Sequence, residues 1–471
     1  MIPPFSLVIF GATGDLTQKK LIPSLFKLFL DKKLPSEFVI IGFSRRPIAK
    51  EEFYILIQSV IKRKKSYNEV IWREFTKHVV YIQGEFENRE AYGKIKEYLN
   101  KANTMLYLAT PPKYYETILD NIAASGLAQK TQKGWTRILI EKPFGKDLQT
   151  AVMLDSKLDT LFKEEQIYRI DHYLGKETVQ NIIAFRFANG IFDPVWNNNY
   201  LDHVQITLSE KEGVENRGAF YDGVGALRDV TQNHLMQLVA MIAMESPRSF
   251  SSQGVREARS KAISVVRCIS EDEVSNNVVR GQYEGYKTEK NVSANSQTET
   301  FVALKLFVDT ERFKRVPFYI RSGKGMKEDV VEISLVFKQV CHILFKEVGC
   351  PEEGNILTMR IQPNEGIRLI FIAKEPGHEM KLSAINMAFT YESEFKSKEV
   401  VDAYERVLED AFMGDQMLFN RSDELVSSWR FITEILKGWE KGQSKLLIYP
   451  KGSAGPKEAD DLIKRDRRKW V

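Results

Sequence analysis

Three cysteines in 471 residues, none in a Cys-x-x-Cys pair, are too few for a disulfide framework or a thiolate zinc site. Cys268, Cys341 and Cys350 fit a reducing compartment instead. No uncharged apolar run approaches the roughly 18 residues of a membrane-spanning helix. The opening "MIPPFSLVIF" lacks the basic region of a secretory signal, so a cytoplasmic location without a membrane partner is expected. Excess charge is small too: 68 Lys and Arg against 63 Asp and Glu leave a net +5. That surplus suits anionic small molecules rather than nucleic acid. The densest basic runs, "KRKK" (62–65) and "RDRRKW" (465–470), have no interleaved aromatics to stack bases. Histidine is sparse, with six in the chain, so each can be weighed singly.

What is present first is an alternation of strand and helix. "SLVIF" (6–10), "EFVIIGF" (37–43), "HVVYIQ" (78–83), "TMLYLAT" (104–110) and "TRILIEKPFG" (136–145) read as short, continuously apolar strands. Amphipathic segments lie between them, around 19–32, 50–63, 88–101 and 113–126. Such strands joined by helices predict a doubly wound parallel sheet. After about residue 175 the pattern changes. "LDHVQITLSE" (201–210), "FVALKLFVD" (301–309), "VVEISLVFK" (330–338), "ILTMRIQ" (356–362) and "GIRLIFIAK" (366–374) predict a mainly antiparallel sheet, with long helices near 224–246, 398–413 and 423–437. The expected class is α/β plus α+β: a Rossmann-like coenzyme domain over 1–175, then a larger β+α substrate and oligomerisation domain over 176–471. The polar stretch "NVSANSQTET" (291–300) reads as a mobile loop.

Between the first strand and first helix sits "GATGDLTQKK" (11–20). Gly11 and Gly14 permit a tight turn, and the helix amino end offers N–H groups to a pyrophosphate. At the end of the second strand an NAD site would place an acidic residue, but this chain has "GFSRRP". The guanidinium of Arg45 fits an additional phosphate, which points to NADP. "YLATPP" (107–112) and "EKPFG" (141–145) end two further strands, where such sheets bind ligands. Lys142 precedes Pro143, and an X-Pro bond, which can be cis, can hold it in a fixed orientation.

Of the histidines, His78 and His203 lie in strand-like runs and His342 and His378 in irregular ones; structural or solvated roles are expected for all four. His234 sits in the apolar helix "DGVGALRDVTQNHLMQLVAMIAME" (222–245), whose first turns gather Asp229, Gln232, Asn233 and His234. Asp229 and His234 are five apart, roughly 140° around an α-helix, so they would touch different parts of one ligand. A histidine base needs an orienting carboxylate from elsewhere. "YRIDHYLGKETVQN" (168–181) offers one. If it is extended, Asp171 and His172 face opposite sides, Asp171 toward a base and His172 toward an anion. His172, Tyr173 and Lys176 then read as a grip for a phosphate ester, with Lys176 at a helix start.

With these residues in place, the chain resembles the glucose-6-phosphate dehydrogenase family, in its shorter bacterial form, over nearly its full length. "RIDHYLGKE" (169–177) looks like the family signature. "GATGDL", "EKPFG", "RFANGIFDPVWN" (186–197), "RDVTQNHL" (228–235), "RSGK" (321–324), "RIQPNEGI" (360–367), "DAYERVLEDAFMGDQMLF" (402–419) and "YPKGSAGP" (449–456) recur in matching order. The resemblance implies a coenzyme domain plus a β+α domain, assembled as a homodimer or homotetramer. It also implies oxidation of glucose 6-phosphate to 6-phosphoglucono-1,5-lactone by NADP without a metal, the entry step of the pentose phosphate pathway. By motif, His234 would be the general base and Asp171 its partner carboxylate, and His172, Tyr173 and Lys176 would hold the phosphate. Glu210 and Asp229 would bind sugar hydroxyls, Lys324 would be another substrate contact, and Lys142 would lie between coenzyme and substrate. Gly11, Ala12, Thr13, Gly14, Asp15, Leu16, Thr17, Gln18, Arg45 and Tyr107 would contact NADP.

The chain departs from the family at Asp329, where many members carry a second basic substrate contact; Lys327 is the nearest substitute. Its short tail gives no ground for the second NADP site of longer eukaryotic members. The alternative function is a non-catalytic NADP- or sugar-phosphate-binding subunit, which would need neither Asp171 nor His234.

Overall fold

The structure, a computed structural model, describes residues 1–63, 67–99, 102–129, 134–339, 354–395 and 401–471. Lys64 and Lys65 of the basic run, Cys341, Cys350, His342, and the ends of the expected segments at 100–101 and 398–400 lie outside the described residues. The chain divides into two compact units. One comprises Met1–Lys176, Ser249–Arg256 and Val401–Leu425; the other comprises Glu177–Arg248, Glu257–Val400 and Val426–Val471.

The first unit is built on a seven-stranded sheet. Its strands are β1 (Phe5–Phe10), β2 (Phe38–Ser44), β3 (Val79–Gln83), β4 (Asn103–Leu108), β5 (Thr136–Ile140) and β6 (Ile167–Ile170), plus the two-residue strand Phe419–Asn420. β1 to β6 run parallel in the order β6-β5-β4-β1-β2-β3, and Phe419–Asn420 pairs antiparallel with β6 at the edge. β1 is flanked by β2 on one side and β4 on the other, so the winding direction reverses there. Every side chain of β1 is buried, as a strand covered on both faces requires. The helix Ala403–Met413, from far along the chain, adds Val407, Leu408, Ala411 and Phe412 to this core. The Phe412 ring stacks on Phe5 at 4.1 Å. Truncating such a buried phenylalanine costs about 3–5 kcal/mol, so the late segment is part of the early unit's stability.

The second unit carries a nine-stranded sheet. Its strands are β7 (Leu201–Ser209), β8 (Val278–Tyr283), β9 (Phe301–Phe307), β10 (Pro317–Gly323), β11 (Val330–Phe337), β12 (Ile356–Gln362), β13 (Gly366–Lys374), β14 (Leu382–Thr390) and the closing strand Leu446–Tyr449. The order is β14-β13-β12-β11-β7-β10-β9-β8-(446–449). Only the β7–β10 pair and the β8–(446–449) pair are parallel among these neighbours. The α/β plus α+β class expected from the sequence is therefore the observed one. Two local expectations change. The helix read as one piece over 224–246 begins as a π-helix, Leu227–Leu235, and continues as an α-helix, Met236–Ala243. The stretch read as a mobile loop is organised instead: Ser296, Thr298, Glu299 and Thr300 are buried, and Ser296 and Thr298 donate to the Asp222 carboxylate.

Candidate functional site

At the carboxyl end of β1 the chain turns through Gly11, whose φ of +93° suits glycine and whose N–H donates to Phe43 O at 2.8 Å. A Cβ there would lie 2.5 Å from the Ala109 carbonyl oxygen. Gly14 N–H donates back to Gly11 O at 2.9 Å, and the Thr17 hydroxyl donates to the same oxygen at 3.1 Å. Thr13 pairs with Ser44 at 2.7 Å, and Gln18 Nε2 donates to Thr13 O at 2.9 Å. Ala12, Thr13 and Thr17 thus face the protein, Gly14, Leu16 and Gln18 are half-buried, and Asp15 is exposed beside Lys19. The turn is thus held by its own backbone and by the buried Ala12, Thr13 and Thr17, with the Asp15 side chain outermost.

The helix that follows is itself irregular. Thr17–Leu21 is π-helical, with Ile22 N–H reaching Thr17 O, and Pro23 comes next. A proline has no N–H for the usual bond four residues back, and its ring crowds that carbonyl; the wider turn removes the conflict. Arg45, directly after β2, is about half exposed, with its guanidinium 5.0 Å from the Tyr114 ring centre, 5.7 Å from that of Phe86 and 4.0 Å from Glu85.

At the ends of β4, β5 and β6 a buried polar group appears that the motifs alone did not reveal. The Tyr107 ring is fully buried, and its hydroxyl donates to Glu141 Oε1 at 2.6 Å. Tyr404 also donates to the Glu141 carboxyl, and Tyr115 donates to the Glu141 carbonyl at 2.8 Å. Burial pushes the Glu141 carboxyl up to about 7, with Asp171 adding to the shift; the two tyrosine hydroxyls and Lys142 pull it back. Tyr404 stacks on His172 with ring centres 5.9 Å apart and planes 15° from parallel. Glu141 was visible inside "EKPFG", but its partners lie 34 residues before it and in the helix Ala403–Met413. The Lys142–Pro143 bond is cis.

β6 ends at Ile170 and the chain turns at once, with Leu174 N–H on Asp171 O at 3.0 Å and Lys176 N–H on Tyr173 O at 3.1 Å. Asp171 is buried, and its Oδ1 accepts the Tyr173 N–H at 3.0 Å, so the carboxylate braces the turn rather than extending from a strand. The His172 ring meets Tyr173 edge-on at 5.0 Å, and Lys176 Nζ sits 4.8 Å from the Tyr173 ring centre. The turn therefore gathers an imidazole, a phenol and an ammonium. Gly175 leaves no space for a larger residue, since a Cβ would lie 2.9 Å from Ala403 O. Arg169, buried in β6, pairs with Asp155 at 2.5 Å and Glu164 at 2.8 Å and secures the strand below the turn.

In the second unit, the parallel pairing of β7 with β10 sets Ser209 opposite Gly323. The residues just beyond, Glu210 and Lys324, therefore meet: Nζ to Oε2 is 2.5 Å, and Glu210 N–H donates to Gly323 O at 2.9 Å. Asp329 accepts the Lys211 N–H at 2.8 Å, so at this departure from the family a carboxylate pins the loop that carries Glu210. Lys327 is exposed.

The π-helix changes the reading of Asp229 and His234. Met236 N–H reaches Thr231 O, and the Thr231 and Asn233 side chains donate five residues back, to Ala226 O and Arg228 O. With hydrogen bonds closing i→i+5, a turn holds about one extra residue. Residues five apart then lie nearly one turn apart, on one face, instead of the roughly 140° separation of an α-helix. Both side chains are buried. Of the other described histidines outside the site, two are bonded and one is solvated: His78 bonds Phe38 O at 3.0 Å, His203 bonds Asp202 at 2.6 Å, and His378 is exposed.

A doubly wound sheet with a glycine turn after β1 and an arginine after β2 defines a dinucleotide-binding unit, and a large mixed sheet with a histidine–carboxylate helix follows it. Residues 8–181 match the profile described as "Glucose-6-phosphate dehydrogenase, NAD binding domain", and residues 183–471 match "Glucose-6-phosphate dehydrogenase, C-terminal domain". The chain belongs to the glucose-6-phosphate dehydrogenase family. It is 41% identical to the glucose-6-phosphate 1-dehydrogenase of Chlamydia muridarum, over 99% of this chain and 97% of that protein. It is 42% identical to that of Borreliella burgdorferi, over 98% and 97%. A solved glucose-6-phosphate dehydrogenase in complex with glucose 6-phosphate has a TM-score of 0.91 at 32% identity, covering 99% of this chain and 98% of the other. The Mycobacterium avium enzyme has a TM-score of 0.87 at 31% identity, covering 100% and 99%.

Proposed function

We propose that the chain oxidises D-glucose 6-phosphate to 6-phospho-D-glucono-1,5-lactone, with His234 taking the C1 hydroxyl proton as hydride leaves C1, and that Asp171 steadies the imidazolium formed. NADP, when bound, supplies the hydride acceptor. The residues present suit it: the Gly11–Gln18 turn is a tight glycine turn at the carboxyl end of β1 that leads into a helix, and Arg45 holds a half-exposed guanidinium just after β2, where a 2′-phosphate would be read. Tyr107, fully buried, would act beneath the coenzyme through Glu141, and Lys142 follows that carboxyl in the chain.

His172, Tyr173 and Lys176 would grip the phosphate, with their gathering in one turn as the support for that role. Glu210, Lys324 and Asp229 would bind the sugar. The carrying observation is the intact 169–177 motif folded into that turn, in a chain that matches the family from residue 8 to residue 471.

Among the described residues no helix is long and apolar enough to cross a membrane, and we place the enzyme in the cytoplasm. We also assign it a homodimeric or homotetrameric assembly through the large sheet. β14 is a nine-residue outermost strand with Ile385 40% and Met387 61% exposed, a surface that favours pairing with a second copy. The non-catalytic alternative is disfavoured, since Asp171 and His234 are both retained.

The test is the initial rate of NADP reduction with glucose 6-phosphate and with free glucose, for the wild type and His234→Asn. Turnover should require the phosphate ester and fall about 10²- to 10⁴-fold in the variant. Equal rates with glucose, or an unimpaired variant, would overturn the assignment.

A further inference from the structure

The π-helical segment Leu227–Leu235 begins without a cap of its own. Its N-cap position is Ala226, with no side-chain cap bond, and Gly223, Val224 and Gly225 before it offer no side-chain oxygen. The cap comes from the distant segment that the sequence presented as a loop. Glu299 Oε1 accepts the Leu227 N–H at 2.9 Å, and its backbone carbonyl accepts the Ala226 N–H at 3.0 Å. Gly225 has to be glycine here: its φ is +77°, and a Cβ would lie 2.2 Å from Glu299 Oε1. The capping segment is itself pinned on both sides. Thr298 Oγ1 accepts the Gly223 N–H at 2.8 Å, and the Thr300 carbonyl accepts the Lys324 N–H at 2.9 Å. Residues 298–300 therefore tie the start of the His234 helix to the Glu210–Lys324 pair.

We propose that Glu299 is a positioning residue for the reaction, its carboxyl oxygen fixing the start of the π-helical turn and so the placement of Asp229 and His234. The inference rests on the reading of His234 as the base. The Glu299 side chain bonds the Leu227 N–H rather than the proposed base or a sugar contact; it acts through the helix. Its surroundings suit that work. Glu299 is 3% exposed at the wall of a cavity of about 480 Å³, also lined by Asp222, Arg228, Arg280, Trp439 and Glu440. Burial pushes its carboxyl up to about 7, while the Leu227 N–H, Arg228 and Arg280 draw it back. Tyr221, fully buried nearby, is pushed upward by burial and by the charges of Asp229 and Glu299. Both protonation states keep an accepting oxygen for the Leu227 N–H.

Glu299→Ala and Glu299→Gln test this, assayed beside the wild type. Glu299→Ala should lower kcat about tenfold, as a small displacement of catalytic groups does, and shift the acid limb of the pH–kcat profile. Its KM for NADP and its coenzyme-induced fluorescence quenching should stay unchanged, which separates the effect from unfolding. Glu299→Gln, which retains the accepting oxygen, should restore kcat to within about twofold. An unaltered kcat and pH profile in Glu299→Ala, or equal losses in both variants, would overturn the inference. If the wild type itself fails to turn over glucose 6-phosphate, the proposed function falls instead.

Discussion

Arg45 stands where β2 ends, its guanidinium spread over the Tyr114 and Phe86 rings, about half exposed and loosely balanced by Glu85. A planar cation held by two rings keeps its orientation while its donors stay available. Charge-assisted hydrogen bonds contribute about 1.5–3 kcal/mol each. Arg45→Ala should therefore raise KM for NADP roughly ten- to a hundredfold and leave KM for NAD within about twofold; initial rates with both coenzymes check this. Equal effects would remove Arg45 from the 2′-phosphate. The place of this residue was legible in the sequence because it follows a recognisable strand directly; its role toward a 2′-phosphate is what the coenzyme rates test. Glu141, Tyr404 and Glu299 were not, because each is defined by a partner far away: Tyr107 and the helix Ala403–Met413 for Glu141, and Leu227 for Glu299.

Among the elements, the strands of the coenzyme unit were readable because burial on both faces demands continuous apolar runs. Those of the second unit were only partly so. β10 opens on Pro317, and β14 has most of its residues exposed, so neither shows the alternation expected of a half-buried strand. Helix type was beyond composition altogether. In Thr17–Leu21 the wide turn accommodates Pro23, and in Leu227–Leu235 it brings Asp229 and His234 onto one face. The glycine turn, by contrast, was legible and is sterically strict. Gly11→Ala places a Cβ 2.5 Å from Ala109 O at a φ of +93°. The expected result is a lower thermal midpoint and coenzyme binding weakened beyond detection in a fluorescence titration; a variant binding NADP normally would show that the turn relaxes.

For the molecule as a whole, buried carboxyls set a pH dependence. Burial raises Glu141, Glu299 and Asp410 each to about 7. A carboxyl whose folded pKa is raised contributes stability that is fully present below its unfolded value, about 3.9 for Asp and about 4.3 for Glu, and is lost as pH rises through about 7. The wild type should thus lose thermal stability between pH 5 and about 7.5, while Glu141→Gln, which cannot ionise there, should lose less; calorimetry across that range decides it. The proposed assembly is tested at this scale too. Replacing Ile385 and Met387 by Asp places charge on the exposed face of β14 and should shift the mass in light scattering to that of one chain. A wild type already of one-chain mass, or an unchanged multimeric mass in the variant, would overturn the proposed pairing through β14.

The β6 edge of the coenzyme sheet is covered by Phe419–Asn420, and Phe412 fills its core beside Phe5. A ribosome adding about 5–20 residues per second needs roughly ten to fifty seconds to travel from Lys176 to Val401. During that interval the nascent amino-terminal third has all six parallel strands but an open β6 edge and an unfilled hydrophobic socket, the kind of surface that chaperones hold. A fragment ending near residue 180 should behave as a client of that machinery rather than as a free-standing coenzyme binder.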